Sequence, residues 1–243
     1  MSNITSSVLD PCIVCKGAQF STPARCPGFF RCDACGLVLR QPEERARLDA
    51  AFYEEQHGTS IDGDWVEGRR LVFADEIQRL AAFRKTGRIL DVGAGHGFFL
   101  SACQQHGWQS TGIEIGRQAA AYARKHFDLE MLETPIEEAA LPDGAFDVVS
   151  FWNVLDQLPD PPTALRFAVR ALRPGGLLIV RCPNTSFHLP TRQLARHLGV
   201  LLPFTRRLDA LTVFHLFSFP PSALRRLLEN AGLHSVEITA APL

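Results

Sequence analysis

The sequence predicts an α/β protein with a Rossmann-like sheet that carries helices on both faces, preceded by a small cysteine-containing ribbon and a helical bridge. Two CxxC pairs lie within the first 35 residues, and a glycine-rich turn follows a short apolar strand near residue 93. Apolar strands and helical segments then alternate, which is typical of a parallel sheet. A chain of 243 residues accommodates one such domain and a small appendage.

Composition narrows the class of protein. The 25 basic and 26 acidic residues nearly cancel, whereas a protein that mainly coats nucleic acid carries a large basic excess, so nucleic acid is not the expected partner. Neither a signal-peptide pattern nor an apolar stretch of roughly 18 residues occurs, so we expect a cytoplasmic protein without a membrane span. Thiols stay reduced there, and the seven cysteines are expected to be metal ligands or buried thiols.

The cysteine pairs Cys12–Cys15 and Cys32–Cys35 are separated by sixteen residues, a spacing typical of a four-cysteine zinc site. Two residues between thiolates let both sulfurs reach one tetrahedral ion at about 2.3 Å. Four thiolates leave no open coordination position, so the role of the metal is predicted to be structural. Iron in place of zinc, or four free or disulfide-bonded cysteines, are the alternatives. Cys26 fits neither pair.

Two helical segments follow the ribbon, which we place at residues 1–42. Glu43–Gln56 is rich in helix-forming residues, and Trp65–Lys85 has an apolar face. We expect residues 43–86 to form a helical bridge that leads into the main domain at 87–243.

The main domain begins with a strand, Ile89–Val92, followed by the glycine-rich turn Gly93–Gly97 and the helix Phe98–His106. Such a turn lets the backbone approach a ligand closely, with helix amides pointing at it. The next strand, Gln109–Ile113, ends at an acidic residue.

That acid, Glu114, follows Asp91 by 23 residues and is placed to accept hydrogen bonds from both hydroxyls of a ribose. The spacing also fits a nicotinamide dinucleotide. Asp91, two residues before the first glycine, suits instead a ligand that has an ammonium group and no pyrophosphate. The sequence thus favours S-adenosylmethionine, with a domain that binds another nucleotide as the alternative.

The sequence resembles the class I S-adenosylmethionine-dependent methyltransferases, and within them the branch with an N-terminal four-cysteine zinc module. The resemblance covers essentially the whole chain, and its motifs are ILDVGAGHGFFL, GIEI, ETPIEEA, AFDVVSFWNVLDQLPDP, LRPGGLLIV and HLFSFPPSALRRLLENAGL. It implies contacts to the methionine portion, the ribose, the adenine and the sulfonium. The implied contacts to the methionine portion come from Asp91, Gly93, Gly95 and Gly97, and the ribose is bound by Glu114. The adenine is bordered by Thr134, Pro135 and Ile136, and the sulfonium lies beside Asn153. The implied cofactor-binding set also includes Ala94 and Ile115.

Later strands complete the predicted sheet. Phe146–Phe151 should deliver Trp152 and Asn153 to the crevice where open α/β sheets bind ligands. A tight turn at Arg173–Gly176 is predicted before the strand Leu177–Arg181. A sixth strand is expected at Leu233–Thr239, and a homodimer through an open sheet edge is a hypothesis.

The segment 181–219 is the expected substrate-recognition insert. Its arginines suggest a lid for an anionic substrate, and a solvated surface helix is the alternative; they are Arg192, Arg196, Arg206 and Arg207. His188 and His215 are candidate general bases. Many relatives have Glu-His where this chain has Asp156-Gln157, so any help from that histidine is absent here.

The predicted function is methyl transfer to a small-molecule or carrier-bound substrate, in glycan or secondary-metabolite assembly. One alternative is an RNA methyltransferase that grips RNA through the zinc module. Another is a non-catalytic module that retains the fold and binds a nucleotide.

Overall fold

A computed structural model describes residues 3–4, 9–24, 26–40, 63–199 and 215–240. The predicted helix Glu43–Gln56 and the arginines Arg206 and Arg207 lie outside the described residues. The chain forms two compact units, each assembled from separate stretches. The first comprises Met1–Arg47, Leu155–Leu165 and Cys182–Thr239, and the second comprises Leu48–Val154, Arg166–Arg181 and Ala240–Leu243. The domain boundaries expected near residues 42 and 86 stay predictions.

The second unit contains a parallel sheet, as the sequence predicted, and this sheet has five strands. Its strands are β5 (Arg88–Val92), β6 (Gln109–Ile113), β7 (Glu130–Leu132), β8 (Phe146–Trp152) and β9 (Leu172–Arg181). They lie in the order β7-β6-β5-β8-β9. The strand order reverses between β5 and β8, and the carboxyl ends of these two strands therefore border the crevice in which such sheets bind ligands.

Three helices of the second unit are α1 (Gly63–Phe83), α2 (Phe98–Gln105) and α3 (Arg117–Phe127). Phe73 and Leu80 of α1 are buried in one core with Phe99 of α2 and with residues of the sheet. Trp152 belongs to this core, since its ring lies 5.2 Å from that of Phe73 and 4.9 Å from that of Phe99. The expectation that β8 delivers Trp152 to the crevice is therefore wrong, and only Asn153 remains as the strand-end candidate.

Strand β9 begins earlier than predicted. The segment Arg173–Gly176 lies inside the strand, and the register with β8 shifts between the pair Phe146–Leu172 and the pair Val148–Leu177. Gly175 has a φ of +74°, which a residue with a side chain rarely adopts. The predicted turn is thus a bulge that keeps both flanking segments paired to β8.

The first unit contains an antiparallel sheet in the order β1-β2-β3-β4-β10. Four of its strands are β1 (Asn3–Ile4), β2 (Phe20–Ser21), β3 (Phe29–Cys32) and β4 (Val38–Arg40), and the fifth, β10 (Phe217–Ser218), pairs with β4. The N-terminal ribbon is therefore completed by a strand from near the other end of the chain.

The remaining helices are α4 (Pro161–Ala171), α5 (Thr185–Gly199) and α6 (Pro221–Asn230). Asn184 caps α5 by accepting a hydrogen bond from the Ser186 amide. Leu194 of α5 is 58% exposed. The predicted sixth strand at Leu233–Thr239 is wrong, because the chain has no regular structure there after α6.

Candidate cofactor site and four-cysteine centre

The second unit presents a buried carboxylate at the crevice. Asp91 near the end of β5 is only 2% exposed, and its Oδ1 accepts a hydrogen bond of 2.6 Å from the hydroxyl of Ser150 on β8. A buried charge is stable only with partners of this kind. The hydroxyl thus fixes the carboxylate that the sequence assigned to the methionine portion.

Hydrogen bonds hold the glycine-rich turn close to the end of strand β6. The amides of Gly93 and Ala94 both donate to the carbonyl of Ile113, at 2.8 and 2.9 Å. A Cβ on Gly93 would lie 2.4 Å from Val154, so the loop has no room for a side chain there. A Cβ on Gly95, by contrast, would meet nothing within 4 Å. The turn is therefore closely packed at Gly93, whereas the space at Gly95 is open.

Glu114 bridges the two loops that border this open space. Its Oε2 accepts a hydrogen bond from the Gly95 amide and its Oε1 accepts one from the Gly116 amide, both at 2.7 Å. Each carboxylate oxygen can accept two hydrogen bonds. The two amide hydrogen bonds hold the carboxylate in a fixed orientation beside the open space at Gly95.

Ile115 and the three residues assigned to the adenine differ in exposure. Ile115, beside Glu114, is 36% exposed although it is a large apolar residue, whereas Ile136 is buried at 2%. Thr134 is partly buried and Pro135 is exposed. An exposed isoleucine next to a carboxylate offers an apolar surface to a flat ring.

Asn153 follows β8 with a φ of +56°, and its amide donates to the carbonyl of Arg181 at 2.8 Å. Positive φ is uncommon outside glycine and is enriched in asparagine. The backbone turns sharply at this residue, directly after the sheet ends.

Asp147, the acidic residue of β8, has a structural role. Its Oδ2 accepts the Arg88 amide at 2.7 Å, and its Oδ1 forms ion pairs with Arg84 and Arg173. These partners satisfy the mid-strand carboxylate, so it needs no ligand.

The predicted cysteine set comes together in the first unit. The sulfurs of Cys12, Cys15, Cys32 and Cys35 all lie within 4.8 Å of one another. The Cys12–Cys35 and Cys15–Cys32 sulfur pairs are 3.5 Å apart. Ligands about 2.3 Å from a tetrahedral zinc ion are separated by about 3.8 Å, so the arrangement fits this ion. Cys26 is buried with Phe29 and Val38 instead.

Three of these thiols, those of Cys12, Cys15 and Cys35, have shifted pKa values. Burial raises the pKa of Cys12 to about 11 and raises that of Cys35 further. Burial also opposes ionisation of Cys15, but hydrogen bonds led by the one from the Gly17 amide outweigh it, so the net shift in the pKa of Cys15 is downward. A metal ion has to displace the protons of the buried thiols, so its binding is expected to release protons.

The two candidate bases have different surroundings. His215 Nδ1 lies 2.6 Å from Oδ2 of Asp156, a carboxylate that is fully buried. His188, near the start of α5, contacts the ring of Phe187 edge-on. The sequence contained no signal for the first contact, because Asp156 and His215 are 59 residues apart.

Of the expected lid arginines, the structure describes Arg192 and Arg196. The guanidinium of Arg192 lies over the ring of Phe29, 5.6 Å from its centroid, so this side chain is engaged within the first unit. The anionic-substrate lid stays a prediction.

Comparison with known proteins identifies the family. A family model described as a methyltransferase domain matches residues 65–238, and the chain belongs to this family. This membership confirms the class that the sequence predicted, the S-adenosylmethionine-dependent methyltransferases. The zinc-bearing branch stays a prediction.

Two curated relatives carry the name ubiquinone biosynthesis O-methyltransferase. The protein from Bordetella avium is 34% identical over 106 residues, which are 41% of this chain and 44% of the relative. The protein from Aeromonas salmonicida is 31% identical over 153 residues, which are 60% of this chain and 62% of the relative. The matched region thus spans less than two thirds of either relative.

A solved structure shares the fold. The 1,6-didemethyltoxoflavin-N1-methyltransferase of Burkholderia thailandensis, with bound 1,6-didemethyltoxoflavin and S-adenosylhomocysteine, has a TM-score of 0.59 and 18% identity, and the match covers 85% of this chain and 88% of that one.

Within the described residues, none of the helices combines the length and apolar character needed to cross a membrane.

Proposed function

We propose that the protein binds S-adenosylmethionine in the crevice of the second unit and transfers its methyl group to a hydroxyl of a small aromatic molecule. The observation that carries the proposal is Glu114. Its carboxylate follows strand β6 and is fixed by two backbone amides, at Gly95 and Gly116, beside the open space at Gly95. A pair of vicinal hydroxyls complements such a carboxylate.

The space next to Glu114 supports a nucleoside-linked amino acid. The methionine portion would lie over Gly95, where a side chain would meet nothing, and its ammonium group would pair with Asp91. The adenine would rest on Ile115, between Thr134 and Ile136. Asn153 would lie beside the sulfonium.

The relatives support the class of acceptor. Both are named O-methyltransferases of ubiquinone biosynthesis, and a quinone ring in its reduced form carries phenolic hydroxyls. Transfer to such an oxygen is an in-line displacement in which the cofactor supplies the reactive methyl group. The protein has to align the oxygen and to accept its proton.

The four-cysteine centre has a structural role in this proposal. Its sulfur spacing fits a zinc ion held by Cys12, Cys15, Cys32 and Cys35. A small ribbon buries too little apolar surface to be stable alone, so the metal stabilises the ribbon.

Two measurements on the wild type test the proposed function. Calorimetric titration should show micromolar binding of S-adenosylmethionine and S-adenosylhomocysteine, and much weaker binding of NAD⁺ as the control nucleotide. Incubation with methyl-labelled S-adenosylmethionine and catechol should yield a labelled methyl ether, with benzene as the control that lacks a hydroxyl. Tight NAD⁺ binding without S-adenosylmethionine binding would contradict the cofactor, and binding without transfer to catechol would contradict the acceptor.

A further inference from the structure

The second unit contains a group of aromatic side chains beside the glycine-rich turn. At its centre is the ring of Tyr122 on α3. His96 contacts this ring edge-on, with 5.2 Å between the centroids, and His126 is stacked on it at 3.9 Å. Phe98 and Phe127 lie 6.1 and 6.0 Å away. Rings in such edge-on and stacked arrangements attract one another. One ring of α3 therefore contacts four others, of which His96 belongs to the turn itself.

Tyr122 is held in place from the side of the helix. Nδ1 of His126, one helical turn later, lies 3.0 Å from the carbonyl oxygen of Tyr122, so this imidazole is fixed beside the phenol ring. Helix α3 begins directly after Gly116, whose amide donates to Glu114. The helix that carries Tyr122 is thus attached at its start to the carboxylate that we assign to the ribose.

The turn meets α3 at two adjacent residues. His96 has the only large side chain between Gly93 and Gly97, and its ring lies against Tyr122. A Cβ on Gly97 would lie 2.9 Å from the Cβ of Ala123, the residue after Tyr122. The backbone of the turn therefore approaches the helix closely at Gly97, and the imidazole of His96 adds a side-chain contact next to it.

These contacts matter because the turn is rich in backbone freedom. Gly95 and Gly97, on either side of His96, have φ values of +53° and +78°, and glycine has more accessible conformations than any other residue. The Gly95 amide is held by Glu114, and the next residue is held by Tyr122. The position of the backbone beside the open space at Gly95 thus depends on one hydrogen bond and one ring contact.

We propose that Tyr122 and His96 are positioning residues for the amino-acid portion of the cofactor, an inference that rests on the proposed function. Their ring contact holds the glycine-rich turn in the conformation that receives this portion. Only a ligand that occupies the turn gains from a turn that is already ordered. The contact therefore makes the site selective for S-adenosylmethionine and S-adenosylhomocysteine over nucleosides without an amino-acid portion.

The test compares two ligands on Tyr122→Leu, which keeps an apolar side chain and removes the ring. S-adenosylhomocysteine and 5′-methylthioadenosine share the adenine, the ribose and a thioether sulfur, but only the first has the amino-acid portion. In calorimetric titrations we expect the Kd for S-adenosylhomocysteine to rise about tenfold, near the upper limit for one aromatic contact. The Kd for 5′-methylthioadenosine should stay within about twofold of the wild-type value. Tyr122→Phe keeps the ring and should bind both ligands as the wild type does.

His96→Leu removes the same contact from the other side and should give the same selective loss. Because the two substitutions remove one shared contact, the double variant should bind S-adenosylhomocysteine about as well as either single variant. His106→Leu changes an exposed histidine of the same unit outside the aromatic group and is the matched control, with wild-type affinities. Thermal denaturation checks the fold of each variant. If Tyr122→Leu does not fold, His96→Leu, at a partly buried residue of the turn, decides the question.

The outcomes separate this proposal from the proposed function. Equal losses for both ligands in a folded variant would indicate that the rings support the whole site, and would overturn the proposal. Additive losses in the double variant, or unchanged affinity for S-adenosylhomocysteine in both single variants, would overturn it as well and leave the cofactor assignment intact. A wild type that does not bind S-adenosylhomocysteine would refute the proposed function, and the positioning role would fall with it.

Discussion

Replacement of Glu114 by glutamine tests the site with the smallest change in shape. Glutamine keeps one side-chain oxygen and replaces the other with an NH₂ group. That group would face the amide of Gly95 or of Gly116, each now 2.7 Å from a carboxylate oxygen. The variant also loses the negative charge that, in the proposed site, would strengthen the hydrogen bonds to the ribose.

The magnitude follows from these contacts. A hydrogen bond to a charged group contributes about 1.5–3 kcal/mol. Loss of one such bond raises the Kd for S-adenosylmethionine roughly 10- to 150-fold. A backbone amide left without an acceptor costs about 1–3 kcal/mol of folding free energy, which lowers the Tm by about 2–4 °C per kcal/mol in a chain of this size.

The assay is calorimetric titration of Glu114→Gln with S-adenosylmethionine, accompanied by thermal denaturation. Glu138→Gln removes an exposed carboxylate from the same unit and serves as the matched control, with an expected Kd close to that of the wild type. A folded Glu114→Gln variant whose Kd lies within twofold of the wild-type value would refute the ribose assignment.

Four further predictions concern the loop, the metal and the Cys182 thiol. Gly95→Ala should weaken the binding of S-adenosylmethionine. It should also lower the free energy of unfolding by about 1–2 kcal/mol, because the residue has a φ of +53°. Gly97→Ala should lower the Tm in a thermal melt, because the added Cβ would lie 2.6 Å from Leu129. A Tm equal to that of the wild type would contradict this prediction. Zinc chelation should lower the Tm of the wild type, because the metal would stabilise the ribbon, and should have no further effect on Cys35→Ser. The folded pKa of Cys182, about 12, lies above that of an unfolded thiol at about 8.5. The stability from its neutral form is thus complete below about pH 8.5 and is lost as the pH rises towards 12. Cys182→Ala should flatten this decline in the unfolding free energy, and an unchanged slope would contradict the assignment.

Local patterns in the sequence were sufficient for the parallel sheet and the cysteine cluster. The strand Gln109–Ile113 and the helix after the glycine turn form where apolar periodicity placed them, because these patterns report local geometry and burial directly. The spacing within each CxxC pair likewise restricts where the two sulfurs can lie. Once the ribbon folds, the two cysteine pairs therefore come together in one cluster.

The predictions that were wrong concerned segments whose structure depends on contacts with residues far away in the sequence. Leu233–Thr239 has strand-like composition but forms no strand, since β-propensity needs a paired neighbour to be realised. Arg173–Gly176 has the composition of a turn, yet its pairing with β8 keeps it in β9 as a bulge. Trp152 follows the alternation of its strand into the core with Phe73, a residue of α1.

The sequence by itself determined the family, the cofactor class and the four-cysteine cluster, because each depends on residues close together in the chain. Only the tertiary structure decided that β10 completes the ribbon sheet and that Asp156 contacts His215. Neither pairing is encoded in a local pattern, since each joins segments far apart in the sequence. Such contacts form only when the chain has folded, because packing and backbone pairing, rather than local propensity, select the partners.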